Sequence, residues 1–345
     1  MNFDLSPEQY LLEETVRTYL LKEYPAARNL AIAEAAGTDT GWDTDAWRGL
    51  AGLGVGGILV PEQYGGLGLG LLDVAVAAQG AGYGAAAGPW IAHWLATAAI
   101  VRGGSEAQRA RWLPGLADGS LRASLVWDER GTPVLGGRSA DVLILRRGDS
   151  LALVTAEGVT AEALPGIDYT RPIDSVTLTG TPEPLPGGDT MLVGWVRAAG
   201  HTLVAADSFG GSQRVLDATV AYVKVRHQFG RPIGAFQAVK HQVADLAFVV
   251  EPCRGLYWYA AYALDEALPD APRAAARAKA HIGDAYVHAV RSAIELHGGI
   301  GYTWECDLHV YLKRALLNRE YLGDPETLRQ EIADAEFGAP SGGRP

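Results

Sequence analysis

Cysteine is almost absent: Cys253 and Cys306 are the two in 345 residues, and neither sits in a Cys-x-x-Cys or a paired metal-type spacing. That argues against a disulfide framework or a cysteine metal site and leaves two reduced, structural thiols. Long apolar runs are missing too. Although 48% of the residues are hydrophobic, charges and glycines interrupt every stretch before the eighteen or so residues that a bilayer-spanning helix needs. Positive charge is in the minority, with 29 Lys and Arg against 40 Asp and Glu for a net charge of −11. No dense basic patch offsets it, so nucleic-acid binding is not expected. The opening Met1–Gln9 has neither the basic start nor the apolar stretch of a secretion signal. The chain is expected in the cytoplasm, with no membrane span.

A chain of this length buries an extensive core and divides into two or three domains. Residues 1–118 read as a helical N-terminal domain. Ser6 can cap a helix with Pro7 in its first turn, and Leu11, Leu12, Val16, Tyr19 and Leu20 then recur at helical spacing. Pro61 and the glycines at 65, 66 and 68 mark a loop, a helical pattern resumes near Leu72, and another begins at Ser105 and stops at Pro114. Residues 119–192 change texture: short runs such as Val142–Leu145, Leu151–Val154 and Ser175–Leu178 alternate with Gly, Pro and Asp, reading as a small, reduced β domain. Residues 193–337 return to helices, expected at 201–225, 236–268 and 274–296, which pack best as a bundle. Residues 338–345 read as a disordered tail.

Two runs carry chemistry. Arg226-His227-Gln228-Phe229-Gly230-Arg231-Pro232-Ile233-Gly234-Ala235-Phe236-Gln237 lies in a reversal between two long helices. Arg226 offers five donors suited to a pyrophosphate, against the alternative of an arginine that caps helix carbonyls. Phe229 can stack on an adenine or plug the bundle. Glu295-Leu296-His297-Gly298-Gly299-Ile300-Gly301-Tyr302 ends the Ala-rich helix, where the glycines allow close backbone approach or simply cap the helix. His281 and His288, seven apart, share a helix face but lack carboxylate or Cys companions and read as surface or core histidines.

The pairing of Arg-x-x-Phe-Gly-x-x-Ile-x-x-x-Gln with Gly-Gly-x-Gly-Tyr about sixty residues later resembles the acyl-CoA dehydrogenase family. The Val60–Gly68 run and Trp112-Leu113-Pro114 are similar to that family as well. Gly-Gly-Ile-Gly-Tyr-Thr-Trp-Glu, followed by Asp307–Arg314, resembles a bacterial branch containing steroid side-chain degraders, in particular the short, non-catalytic subunit of actinobacterial heterotetramers. The resemblance implies a mainly α fold: a helical N-domain, a central β-barrel, here truncated, and a C-terminal four-helix bundle that pairs with a second subunit. It also implies FAD contacts, made across the interface to the neighbour's cofactor, at Arg226, Gln228, Phe229, Gln237, Glu295, His297, Gly298 and Gly299. Position 295 is usually Gln in the family; the Glu here accepts hydrogen bonds but donates none when ionised.

The family's reaction removes an α-proton from an acyl-CoA with a carboxylate while the flavin accepts a hydride from the β-carbon. The base belongs to a Tyr-Glu-Gly segment, which here reads Tyr321-Leu322-Gly323, or to a position aligning near Gly200, and no Asp or Glu lies between Asp189 and Asp207. Neither leucine nor glycine takes up a proton. Glu320, two positions from Leu322, would be turned roughly 200° away on a helix; Glu251 and Asp207 read as solvated or salt-bridged. The run that cradles the flavin ring in the family is replaced by Trp127–Pro133, with a hairpin or more deleted after it.

The resulting expectation is an FAD-dependent oxidoreductase acting as a heteromer, expected as α2β2. A second acyl-CoA dehydrogenase subunit would hold most of the FAD and the acyl-CoA, and this chain alone would be inactive. The alternatives are a homo-oligomeric flavoenzyme with an unusual base and a ligand-free structural or regulatory partner protein. The resemblance names neither the acyl group nor the electron acceptor.

Overall fold

The computed structural model describes residues 4–25, 28, 31, 44–128, 130, 131 and 133–338. The expected tail at 338–345 lies outside them except for Gly338. Helix α1 (Pro7–Glu23) starts as its sequence requires: Ser6 Oγ accepts from the Gln9 N–H at 3.2 Å, and Gln9 Oε1 accepts from the Ser6 N–H at 3.0 Å. Among the described residues four more N-terminal helices follow: α2 (Thr44–Gly52), α3 (Leu71–Tyr83), α4 (Trp90–Gly103) and α5 (Glu106–Ala117). Helix α5 repeats the Ser-Gln capping box with Ser105 and Gln108. It does not stop at Pro114 as expected. Pro114 removes one backbone donor, yet Trp112, Leu113 and Leu116 are buried, and this packing carries the helix on to Ala117.

Among the described residues seven short strands come next: β1 (Ala123–Val126), β2 (Val134–Leu135), β3 (Val142–Arg147), β4 (Ser150–Thr155), β5 (Val159–Leu164), β6 (Ile173–Leu178) and β7 (Glu183–Pro184). They form one sheet in the order β1-β3-β4-β7 and another in the order β2-β6-β5. Strand β1 runs parallel to β3, while β3 and β4 form an antiparallel hairpin from Val142↔Thr155 to Arg147↔Ser150. All four residues of β1 are buried, and the strand packs on α4.

The C-terminal part is helical. Helix α6 (Thr190–Val225) begins eleven residues before the expected 201, because Asp189 caps it through the Leu192 N–H at 3.0 Å. The single helix expected over 236–268 is two, α7 (Gln237–Val250) and α8 (Cys253–Asp265), separated at Pro252, which has no N–H to donate. Helix α9 (Ala271–His297) lies along α6 and completes a four-helix bundle, with α10 (Leu308–Glu320) and α11 (Pro325–Phe337) packed against it. Among the described residues no helix is long and apolar enough to cross a membrane, and no cluster of His, Cys, Asp and Glu could hold a metal. His281 and His288 are both exposed. Cys253 is buried and Cys306 half-buried, and both are free.

The three parts of the chain meet on a buried ionic network. Asp207 of α6 takes contacts from Arg171 at 2.5 Å, from Arg314 of α10 at 2.6 and 3.1 Å, and from Asn318 at 2.7 Å. Arg314 also reaches the Ala86 carbonyl and Thr170. Burial opposes ionisation of Asp207, but the two guanidinium groups outweigh it and hold the carboxyl below its ordinary range.

Candidate functional site

The reversal after α6 is a tight hairpin. Arg226 ends the helix with its N–H on the Tyr222 carbonyl, and β8 (His227–Gln228) pairs with β9 (Arg231–Pro232). The two residues between them, Phe229 and Gly230, have φ of 52° and 78°, the left-handed pair of a type I′ turn, which matches strand twist. Glycine adopts that conformation freely; Phe229 does so at a cost. Phe229 is 91% exposed, and its ring lies perpendicular to that of Phe236, with centroids 6.1 Å apart. It does not plug the bundle of its own chain. Arg226, Gln228 and Gln237 are exposed as well. Among the described residues, the Arg226 side chain pairs with no carboxylate and caps no helix carbonyl. Arg231 differs, lying 4.1 Å over the Phe236 ring.

The second run lies beside the first, joined by Tyr222, a residue the sequence did not single out. Its ring stacks on His297 at 4.2 Å, and its hydroxyl donates to the His297 carbonyl at 3.2 Å. His297 Nδ1 donates to the Ala293 carbonyl at 2.8 Å, and burial lowers the ring's pKa. His297 is therefore held from within. Glu295, Gly298 and Gly299 are exposed. Gly298 has φ 67° and ψ −144°, a conformation essentially restricted to glycine. At Gly299 a Cβ would meet nothing within 4 Å, so the packing of this chain does not require a glycine there.

The two sequence positions expected for a base converge on one place. Helix α10 ends at Glu320, the chain turns extended at Tyr321, and Leu322 is left-handed with φ 63°. Its side chain packs on Gly200, where a Cβ would come within 2.5 Å of Leu322 Cδ1. The segment is held from below by two buried side chains. His201 Nε2 donates to the Leu322 carbonyl at 3.0 Å, and Lys279 Nζ donates to the carbonyls of Arg319, at 3.1 Å, and Gly323. Burial, aided by Arg197, pushes His201 down to about 3, so its ring is neutral. Burial lowers Lys279 to about 8, against the opposing pull of Glu320.

Leu322 lines a cleft of about 670 Å³ with Trp127, Pro133, Arg146, Val193 and Leu317, a volume in the range of ligand sites. Three carboxylates border it, and each is paired: Asp128 with Arg130 at 2.5 Å, Glu320 with Arg319 at 2.6 Å and Glu331 with Arg197 at 2.8 Å. Glu320 therefore faces the same cleft as Leu322. The helical-rotation argument against it does not apply, because the helix ends before Leu322. Its ion pair is what occupies it. Glu251 pairs loosely with Arg254, at 3.5 Å, and Asp207 is committed to the interior network. In the segment expected to replace the ring cradle, Arg146 lies 5.2 Å over the Trp127 ring; Glu129 and Thr132 lie outside the described residues.

Comparison with known proteins gives a consistent picture. Residues 6–120 match the family model "Acyl-CoA dehydrogenase, N-terminal domain", and residues 198–337 match "Acyl-CoA dehydrogenase, C-terminal domain". The chain is 34% identical to acyl-CoA dehydrogenase IpdE2 of Mycolicibacterium smegmatis over 335 residues, covering 96% of this chain and 99% of that protein. Among solved structures it is similar to the Tcur3481-Tcur3483 steroid ACAD, with 28% identity and a TM-score of 0.86 over 95% of this chain and 97% of that one. The butyryl-CoA dehydrogenase of Megasphaera elsdenii shares the fold, with a TM-score of 0.85 at 20% identity over 97% of this chain and 99% of that one.

Proposed function

The chain belongs to the acyl-CoA dehydrogenase family, and we propose that within it the protein is the base-less subunit of a heteromer, completing the FAD site of a catalytic sister subunit. One observation carries this reading: both positions that could supply the base are apolar and fill each other's space, Leu322 against Gly200. Nothing there takes up the α-proton of an acyl-CoA. The proposal keeps the division of the chain near residues 118 and 192.

The residues present fit one end of FAD and not the other. At the pyrophosphate and adenosine end, Arg226 and Gln237 are exposed and uncommitted, and Gly298 and Gly299 leave open backbone for another molecule to approach. Glu295 adds an acceptor beside them. At the ring end, the Trp127–Pro133 segment carries the Asp128–Arg130 pair, with Arg146 over Trp127. When bound, FAD supplies the hydride acceptor of the family's reaction. In this reading Arg226 and Gln237 bind and orient the anionic end of the sister's cofactor. The acyl thioester and the base belong to the sister subunit. A steroid-CoA thioester is the proposed substrate class, supported by the resemblance to steroid side-chain degraders and by the steroid ACAD among the similar structures.

The test is to produce the chain alone and with its sister subunit, and to measure dehydrogenase activity and flavin absorbance against subunit mass. The chain alone is expected to be inactive, and the complex to carry about half as many FAD molecules as subunits, since only one of two protomer types holds a ring. An active homo-oligomer with one FAD per chain would overturn the proposal.

A further inference from the structure

Helix α11 buries only Pro325 and Leu328. Its apolar contact is a small cluster of Leu328 with Ala276 and Ala280, flanked by Ile332. Apart from Arg329 donating to the Ala280 carbonyl at 3.2 Å, the rest of its attachment is ionic. Arg319 meets Glu326 at 2.6 Å, Arg329 meets Asp284 at 2.5 Å, Arg197 makes two contacts of 2.8 Å with Glu331, and Arg277 meets Glu336 at 3.0 Å. These side chains keep between 24% and 66% of their surface in water. Pairs so exposed contribute little individually and are screened by salt.

The attachment is graded along the helix. At its N-terminal end Asp324 caps the Thr327 N–H at 2.9 Å, Lys279 holds the Gly323 carbonyl, and Leu328 is fully buried. Towards its C-terminal end the contacts of Glu331 and Glu336 with arginines dominate, and Phe337 is 85% exposed. The helix also stands at a boundary. Gly194, Arg197 and Glu331 line both the cleft at Leu322 and a neighbouring cavity of about 200 Å³ that reaches His201. The Arg197–Glu331 pair thus lies where the two cavities adjoin.

We infer that α11 is an ion-latched strap over these cavities, pivoting at Leu328 and opening from its C-terminal end when its arginine–carboxylate contacts are screened or one is removed. This does not depend on the assignment of the FAD-contacting residues. Amide hydrogen exchange of the full chain tests it, compared at about 0.1 M and about 1 M sodium chloride, between which the screening length falls from about 10 Å to about 3 Å. Amides of residues 329–337 are expected to lose protection by about tenfold or more at high salt, while those of 271–297 stay unchanged. Glu331→Gln and Arg197→Gln are each expected to give part of that loss at low salt. Protection of 329–337 that ignores both salt and Glu331→Gln overturns the inference. So does a loss spread equally over 271–297, or free exchange of 329–337 already at low salt.

Discussion

The hairpin with the Gly298–Gly299 segment and the pocket at Leu322 are built on the same helices and are organised in opposite ways. At the first, Arg226, Gln228, Phe229 and Gln237 face outward, and the chain supplies partners for few of their polar groups. At the second, the Leu322 carbonyl is taken by His201, the Gly323 carbonyl by Lys279, and the Leu322 side chain by Gly200. A residue that its own chain's packing does not require, such as Arg226 or Gly299, calls for an explanation outside the chain. A segment whose groups are satisfied from within explains itself structurally. That difference is what supports the proposal that one region gives contacts to another molecule while the other keeps only the scaffold of a base site.

Interior and exterior substitutions should therefore fail differently. The largest effect is expected inside: Asp207→Ala leaves Arg171 and Arg314 buried without their counter-charge, a loss of about 3–5 kcal/mol that should appear as a large drop in urea midpoint. An unchanged midpoint would mean that the network does not hold the three regions together. Outside, Arg226→Ala should leave that midpoint alone and instead weaken flavin retention by the assembled complex, by about ten- to a hundredfold, the equivalent of about 1.5–3 kcal/mol. Wild-type flavin content in that variant at fixed dilution would remove Arg226 from the site and weaken the contrast.

The smallest effect concerns pH. The folded chain holds His201 down to about 3, whereas in the unfolded chain it takes up a proton near about 6.5. The unfolded state therefore binds more protons between those values. Stability should be fully present above about pH 6.5 and fall as pH drops towards 3. His93, held to about 4 by burial, acts in the same direction. Urea midpoints at about pH 7 and about pH 5 should show the decline, and His201→Gln should reduce its slope without abolishing it. A slope identical to wild type would place His201 in contact with water.

Much of the architecture was legible locally. The Ser6 cap, the helix start at Ser105, the alternation of strand runs with turn residues, the Arg226 reversal and the Ala-rich helix ending at Gly298 all depend on neighbours within a few positions. The local signal fails where distant packing overrides it, as at Pro114, or where a regular element is interrupted, as at Pro252 and after Glu320. Tyr222, His201 and Lys279 carried no sequence signal. Each looks like an ordinary helical residue until its partner arrives from elsewhere in the chain.

By itself, the sequence determined the succession of helices and strands, the reversal at the Arg226 run and the absence of a carboxylate at Leu322 and near Gly200. These are matters of residue identity and short-range geometry. Only the tertiary structure decided that Leu322 and Gly200 are one site, that His201 holds Leu322 across 121 residues of sequence, and that the Arg226 and Gly298 runs are joined through Tyr222. Those contacts depend on how closely α6, α9 and α10 approach one another. Helix approach is set by the summed packing of many side chains, and no single periodicity or motif encodes it.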